Sequence, residues 1–179
     1  LFTQYDDTQG PLRYSIGMRY EQYNIRDKKE GQPVIRMGLN YELNENNFLR
    51  ASFGQGYRYP SMYELFLFRD AGEISIYSNQ ELKPETGYTA EIGYKHKLFA
   101  KDKFTAYFDI AGFHMNYNDM VEYSYGLWGD STRLNPLGVG FKPINVGQTK
   151  ISGLDCSILT NGDLGSEWKI SSRLSYTYM

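Results

Sequence analysis

Residues 88–98 read YTAEIGYKHKL, and this stretch alternates between two kinds of side chain along its whole length. One face of the stretch carries Tyr88, Ala90, Ile92, Tyr94, His96 and Leu98, and the other carries Thr89, Glu91, Gly93, Lys95 and Lys97. Strict alternation of this kind is typical of a β strand with one apolar and one polar face. Strands of soluble proteins are usually about 5 to 6 residues long, whereas strands that cross an outer membrane need about 9 to 11. The length of this stretch therefore favours a membrane-crossing strand.

The same alternation recurs along the chain and predicts about seven strands. The alternating segments are 14–21, 35–43, 49–57, 88–98, 104–117, 154–158 and 168–178. No segment shows helical periodicity of comparable strength, so the fold class is all-β. Short predicted turns at 44–47, 100–103 and 161–165 alternate with longer connections at 26–33, 58–84 and 118–143. This order predicts an antiparallel up-and-down β-barrel, because such barrels have short turns at one end and longer loops at the other.

Composition excludes several classes of protein. The chain has 179 residues, a length that suits one domain or part of one, and its net charge is −2. No run of about 18 apolar residues exists, so a bundle of membrane helices is excluded. No excess of basic residues exists either, so nucleic-acid binding is not expected. Cys156 is the single cysteine, so the chain contains no internal disulfide.

Tyrosine is the unusual feature of the composition. The chain has 17 Tyr, more than its Phe and Trp together. A tyrosine ring is apolar and its hydroxyl is polar, so the residue suits a boundary between lipid and water. The Tyr excess therefore fits either the girdle of a membrane barrel or the surface of a binding module. The apolar faces of the predicted strands contain Tyr14, Tyr20, Tyr41, Tyr57, Tyr88, Tyr94, Tyr176 and Tyr178.

Three local motifs are more specific than the alternation. Residues 56–66 read GYRYPSMYELF, and Pro60 there predicts the end of a strand because proline cannot donate to the sheet. Residues 79–94 read NQELKPETGYTAEIGY, with Pro84 just ahead of the strand quoted first. Residues 145–155 read NVGQTKISGLD, a strand with several glycines.

In this order, the three motifs resemble the C-terminal half of the barrel of TonB-dependent outer-membrane receptors. Tyr59 stands where alanine is common in the family, and Asp155 stands where glutamate is common. The resemblance implies a plugged barrel of about 22 strands. Residues 1–179 are then expected to form part of that barrel domain, with the plug domain and the remaining strands outside this sequence.

The resemblance also implies a function and a set of partners. We expect an outer-membrane receptor of a Gram-negative bacterium that takes up a large scarce solute, such as an iron–siderophore, haem or cobalamin. Uptake would use the TonB–ExbB–ExbD energising complex, through the missing N-terminal part, and the barrel would contact outer-membrane lipid. The motif residues expected to have structural roles are Arg58, Pro60, Glu64, Leu82, Pro84, Glu85, Glu91, Gly93, Asn145, Gly147, Gly153 and Asp155.

Candidate ligand-binding residues lie in the two long connections. Aromatic rings in such loops suit stacking on chelates, haem or sugars, and arginines there can bind anionic groups. The candidates are Tyr63, Arg69, Tyr77, Tyr123, Tyr125, Trp128 and Arg133. The alternative is that these aromatic residues only pack the loops together or form the girdle.

No catalytic or metal site is expected, so the chain is not predicted to be an enzyme or to hold a cofactor. His96 and His114 lie on different strands, without the ligand spacing of a zinc site. Two other architectures remain open at this point. One is a complete small outer-membrane barrel of about eight strands, with residues 2–5 in the eighth. The other is a soluble β-sandwich that binds carbohydrate.

Overall fold

The computed structural model describes residues 1–25, 28–101, 103–163, 165 and 168–179. These residues form eight long strands, two very short strands and one short helix. The long strands are β1 (Phe2–Gln9), β2 (Leu12–Ile25), β3 (Lys28–Asn44), β4 (Asn47–Arg58), β7 (Glu85–Lys101), β8 (Phe104–Leu127), β9 (Val139–Asp163) and β10 (Lys169–Tyr178). Helix α1 (Met62–Phe66) and the short strands β5 (Arg69–Asp70) and β6 (Ser75–Ile76) lie between β4 and β7. The predicted all-β fold class is confirmed.

All the strands belong to one sheet. Its order is β1-β2-β3-β4-β7-β8-β9, so consecutive long strands are neighbours, and β10 and β6 both pair with β9. Pairing is antiparallel from β1 to β4 and between β9 and β10, while β6 runs parallel to β9. Among the described residues, β1 pairs with β2 alone and β10 with β9 alone. The sheet is therefore open, unlike a complete small barrel, and single, unlike a sandwich.

The register aligns apolar residues on one face of the sheet. Ile16 faces Met37, which in turn faces Phe53, and their neighbours one position along face the other way. The apolar face is uncovered, since Met37 is 45% exposed and Leu39 is 42% exposed. The opposite face carries Gly17, Arg36 and Gly54 in one cross-strand row. Strands β2, β3 and β4 thus each have an apolar face and a polar face, as the alternation predicts.

The predicted loop over 118–143 is too long. Strand β8 continues to Leu127 and β9 begins at Val139, which leaves a connection of 128–138. The misleading signal is the pair Asn118-Asp119, which looks like a turn in the sequence. Asp119 adopts a positive φ of 55° within β8, and the strand continues past it.

The predicted loop at 26–33 is also too long, because β3 begins at Lys28 and pairs with β2 from there. Gly31 and Pro33 suggest a loop, but the ring of Tyr20 covers Gly31 and supports the pairing. Strand β1 is an additional element that the strand count missed, since Asp6 and Asp7 interrupt its apolar pattern. Residues 26–27, 102 and 164, within predicted connections, lie outside the described residues.

The chain divides into two compact units. The first unit contains Leu1–Gln55, Tyr88–Met115 and Lys150–Met179, and the second contains Gly56–Gly87 and Asn116–Thr149. Buried apolar residues of the first unit are Val34, Ala106 and Ala111, and those of the second are Tyr59, Leu65 and Leu82. The described part of the chain contains no helix with the length and apolarity needed to cross a lipid bilayer.

Candidate functional site

The second unit is organised around an arginine between two glutamates. Arg58, the last residue of β4, donates from Nε to Glu85 at 2.8 Å. Its terminal nitrogens donate to Glu64 at 3.1 and 3.2 Å and also to the other oxygen of Glu85. Glu85 in turn accepts a hydrogen bond from the amide of Val121 at 2.7 Å. One guanidinium group therefore connects the end of β4, helix α1 and the start of β7, and Glu85 extends the connection to β8.

Local sequence explains how Glu64 reaches this position. Strand β4 ends at Arg58, just before Pro60. Ser61 then caps helix α1 in a capping box: its hydroxyl accepts from the amide of Glu64 at 3.3 Å, and its amide donates to the Glu64 carboxylate at 2.6 Å. This S-x-x-E arrangement holds the first turn of a helix that is too short to be stable alone.

The electrostatics of the cluster favour the charged forms of all three side chains. Burial raises the pKa of Glu64, but the hydrogen bonds from Arg58 and Ser61 outweigh it and hold the pKa below its usual 4.5. The hydrogen bond from Arg58 lowers the pKa of Glu85, with help from the amide of Val121. The bonds to Glu85 and Glu64 raise the pKa of Arg58, which stays charged at any practical pH.

Two asparagines connect the three motifs. Asn145 accepts from the amide of Lys83 at 2.9 Å and donates to the carbonyl of Lys83 at 3.0 Å and to that of Asp119 at 2.7 Å. The side chain of Asn79 donates to the carbonyl of Pro143 at 2.9 Å. The backbone amide of Asn79 donates to the carbonyl of Glu64, in the first motif, at 3.0 Å. Three motifs that are far apart in the sequence thus meet in one hydrogen-bonded unit.

Tyr77 lies at the base of the 128–138 connection. Its hydroxyl donates to the carbonyl of Gly138 at 3.1 Å, and the amide of Trp128 donates to the same carbonyl at 3.0 Å. Glycines surround the ring, since a Cβ atom at Gly129 would lie 2.3 Å from Tyr77 Cε1. Gly138 itself has a φ of +61°, which suits glycine. Tyr77 is therefore half-buried and fastens β6 to this connection.

The other candidate ligand residues remain accessible. Tyr63 is 71% exposed, and Tyr125 is 58% exposed with its ring 5.3 Å from that of Phe141. Trp128 donates from its indole nitrogen to the carbonyl of Ser124 at 2.9 Å, and the ammonium of Lys142 lies 5.4 Å from the centre of its ring. Tyr123, Arg69 and Arg133 are exposed as well. The structure brings Tyr77 and Trp128 together at Gly138, whereas Tyr63, Arg69 and Arg133 make no contact of this kind with one another.

The remaining motif residues are placed as follows. In the first unit, Glu91 accepts from Arg50 Nε at 3.1 Å, and a Cβ atom at Gly93 would lie 2.8 Å from the same nitrogen. Asp155 accepts from the Thr177 hydroxyl at 2.9 Å, and a Cβ at Gly153 would lie 2.3 Å from the carbonyl oxygen of Tyr178. In the second unit, Leu82 is buried, Pro84 precedes β7, and Gly147 has open space around it.

Sequence reasoning missed Ser61, Asn79 and Val121 as contributors to this unit. Ser61 had a usable signal, because S-x-x-E is a capping pattern. Asn79 had a weaker one as the first residue of the second motif. Val121 contributes only its amide, for which a sequence carries no signal. Within the described residues, no group of three or more His, Cys, Asp or Glu side chains could hold a metal ion.

Comparison with known proteins identifies the class. The family model described as TonB dependent receptor-like, beta-barrel matches residues 1–179. The chain therefore belongs to the TonB-dependent receptor β-barrel family. A search of curated proteins finds no match.

Solved structures of receptors share the fold. The hemophore receptor HasR of Serratia marcescens, in complex with its hemophore HasA and heme, is 16% identical with a TM-score of 0.75. A mutant of the ferric enterobactin receptor PfeA of Pseudomonas aeruginosa, in complex with enterobactin, is 20% identical with a TM-score of 0.69. The siderophore receptor PirA of Pseudomonas aeruginosa is 15% identical with a TM-score of 0.71.

The matches cover almost all of this chain and a minor part of each receptor. They span 99% of this chain in all three cases, but 33% of HasR, 26% of PfeA and 33% of PirA. The chain thus spans about a quarter to a third of the length of these receptors. At these identities, the likeness shows the fold alone.

Proposed function

We propose that this chain is part of an outer-membrane receptor of a Gram-negative bacterium that takes up a large scarce solute in a TonB-dependent way. The observation that carries the proposal is the family match over the whole chain, joined to strands with one apolar and one polar face. In this proposal the apolar face contacts lipid, and the polar face lines the lumen of the barrel. The plug, the remaining strands and the contact with TonB–ExbB–ExbD belong to other parts of the receptor.

The apolar face has the dimensions of a membrane band. On β2 its apolar residues run from Leu12 to Tyr20, a distance of about 27 Å along the strand. A strand tilt of about 40° reduces this to roughly 20 Å, close to the band of about 25 Å on outer-membrane barrels. Tyr20 ends the apolar stretch of β2, Tyr178 is the last residue of β10, and the two are 44% and 65% exposed. Exposed tyrosines near strand ends support the assignment of a girdle next to the lipid headgroups.

The second unit provides the capture surface in this proposal. It contains five basic and eight acidic residues, a net charge of −3. A purely electrostatic attraction for an anionic chelate is therefore weak here, and aromatic faces carry the binding. We propose that Tyr63, Arg69, Tyr123, Tyr125, Trp128 and Arg133 contact solute, while Tyr77 supports the surface from beneath.

The solute class is an iron–siderophore or haem. Two of the similar receptors are described with enterobactin or heme, and a third is described as a siderophore receptor. Cobalamin is a further candidate from the family resemblance. The receptor performs transport without covalent chemistry, so this chain supplies wall and capture surface and no catalytic residues.

Uptake by whole cells tests the proposal. A strain that lacks the receptor is complemented with the full-length gene and supplied with radiolabelled ferric enterobactin, haem or cyanocobalamin. The proposal expects the receptor in the outer-membrane fraction and accumulation of one of these probes that disappears when TonB is deleted. A receptor found in the soluble fraction, or accumulation that is equal with and without TonB, would contradict it.

A further inference from the structure

The polar face of the first unit contains a cleft of about 290 Å³ at strands β1 to β3. Its lining includes Gln4, Ser15, Arg19, Arg36 and Gly38, and it holds no acidic residue. Arg19 pairs with Glu21, which lies outside this lining, whereas Arg36 has no acidic partner among the described residues. The adjoining cleft differs in this respect, because Asp6 and Asp7 there accompany its two arginines.

Arg36 has open space on both sides. Its cross-strand partners are Gly17 on β2 and Gly54 on β4. A Cβ atom at Gly54 would touch only Arg36 Cγ, at 4.0 Å, and one at Gly17 would meet atoms at 3.7 Å or beyond. Neither position thus needs glycine for steric reasons among the described residues, and both leave the guanidinium of Arg36 accessible. Arg36 makes no hydrogen bond or ion pair with any other described residue.

Arg19 lies in the same cleft with only part of its hydrogen-bonding capacity used. One terminal nitrogen pairs with Glu21 at 2.5 Å. Its Nε is buried, and within the described part of the chain it has no acceptor. A buried donor without an acceptor costs about 1 to 3 kcal/mol. The Arg19 side chain is 43% exposed, and a guanidinium has five N–H donors, so its terminal nitrogens retain capacity for a further acceptor.

We propose that Arg19 and Arg36 form a binding site for a carboxylate or phosphate group on the lumen face of the barrel. A guanidinium group binds such anions with paired hydrogen bonds, and Arg36 has no competing acid in the lining of the cleft. The inference rests on the proposed function, because that function places the polar face in the lumen. The anion comes either from an acidic side chain elsewhere in the receptor or from a solute that passes through the lumen.

The test uses the full-length receptor purified in detergent, with citrate as the probe. Calorimetric titration compares the wild type with Arg36→Gln and with the control Arg13→Gln, which removes an exposed arginine from β2 outside this cleft. If the anion comes from a solute, Arg36→Gln weakens citrate binding about tenfold or more. The control then stays within about twofold of the wild type.

A second measurement detects an anion that comes from the receptor itself. Arg36→Lys introduces an amine that a carbodiimide couples to any carboxylate in contact with it, and peptide mapping identifies that carboxylate. A cross-link to an acidic residue supports the proposal and assigns the source to the receptor, and citrate is then excluded. Citrate binding that depends on Arg36, without a cross-link, supports it and assigns the source to a solute. The proposal is wrong if no cross-link forms and the affinity for citrate is the same in Arg36→Gln as in the control Arg13→Gln.

The proposed function is tested separately with the same variants. Each is expressed in cells, and its outer-membrane location and TonB-dependent uptake are measured. A receptor that is located and transports as proposed but shows neither anion signal overturns the anion site alone. A wild-type receptor outside the outer membrane overturns the proposed function.

Discussion

Replacement of Arg58 by glutamine is expected to loosen the 59–84 connection while the strands of the first unit stay protected. The variant leaves Glu64 and Glu85, whose side chains are 12% and 22% exposed, side by side without their shared cation. Removal of one partner from a buried ion pair costs about 3 to 5 kcal/mol. The Arg58 side chain is 45% exposed, and water relieves part of that cost. A loss of about 2 kcal/mol in the local opening free energy follows.

Hydrogen exchange measured by mass spectrometry on the full-length receptor reports this change directly. A loss of about 2 kcal/mol corresponds to exchange about thirtyfold faster for amides that exchange through local opening. The amides expected to respond lie in 59–84 and near Val121, whose amide donates to Glu85. Peptides from β2 and β3 serve as internal references.

Arg69→Gln is the matched control, because Arg69 is an exposed arginine of the same unit with no ion pair to another described residue. Arg58→Lys is expected to be intermediate, since one ammonium group cannot bond two carboxylates as a guanidinium does. If Arg58→Gln speeds exchange in 59–84 no more than Arg69→Gln does, the cluster does not hold the connection in place. The account of the second unit would then fail.

Three further predictions concern the same unit. The pKa values of Glu64 and Glu85 are lowered by folding, so their contribution is complete above their usual 4.5 and is lost as the pH falls through the lowered values. The protection factors in 59–84, which are exchange rates corrected for the intrinsic rate at each pH, should therefore stay constant from about pH 7 to 5 and fall only below about pH 4. Asn145→Asp removes two donated hydrogen bonds and should cost about 2 kcal/mol, measured as faster exchange at the start of β7; exchange unchanged there would contradict the role of this side chain. Gly140→Ala places a Cβ 2.0 Å from the carbonyl oxygen of Ser75, so it should release β6 from β9 and lower protease resistance at 75–77. The control Gly147→Ala places its Cβ in open space and should leave that resistance intact. Equal resistance in both variants would contradict the pairing.

The alternation of side chains predicts the strands well because it depends on a local property of the chain. On β2, β3 and β4, each residue faces the side that its neighbours in the sequence imply, and the cross-strand partners match. Proline is equally local, and β4 ends just before Pro60 as expected. The polar segment 28–33 was harder to assign, since its strand structure depends on pairing with β2.

The arrangement of the second unit follows from contacts that are distant in the sequence. Arg58 and Glu85 are 27 residues apart, and Tyr77 and Gly138 are 61 apart. The sequence marks these residues as parts of motifs or as aromatic loop residues, but it does not state their partners. Tyr77 is an example. Its place in a loop suggests a ligand contact, but the sequence does not show that its hydroxyl donates to the carbonyl of Gly138.

Site-directed spin labelling of β3 tests the central claim that the two faces of the sheet meet lipid and lumen. Labels are attached at Met37→Cys, Gly38→Cys, Leu39→Cys and Asn40→Cys, one at a time, in a Cys156→Ala background of the full-length receptor in outer membranes. Collision rates with oxygen, which concentrates in lipid, and with a water-soluble nickel chelate are then compared. The account predicts that the oxygen-to-nickel ratio alternates with a period of two and is high at positions 37 and 39. A ratio that is equal at all four positions would contradict it.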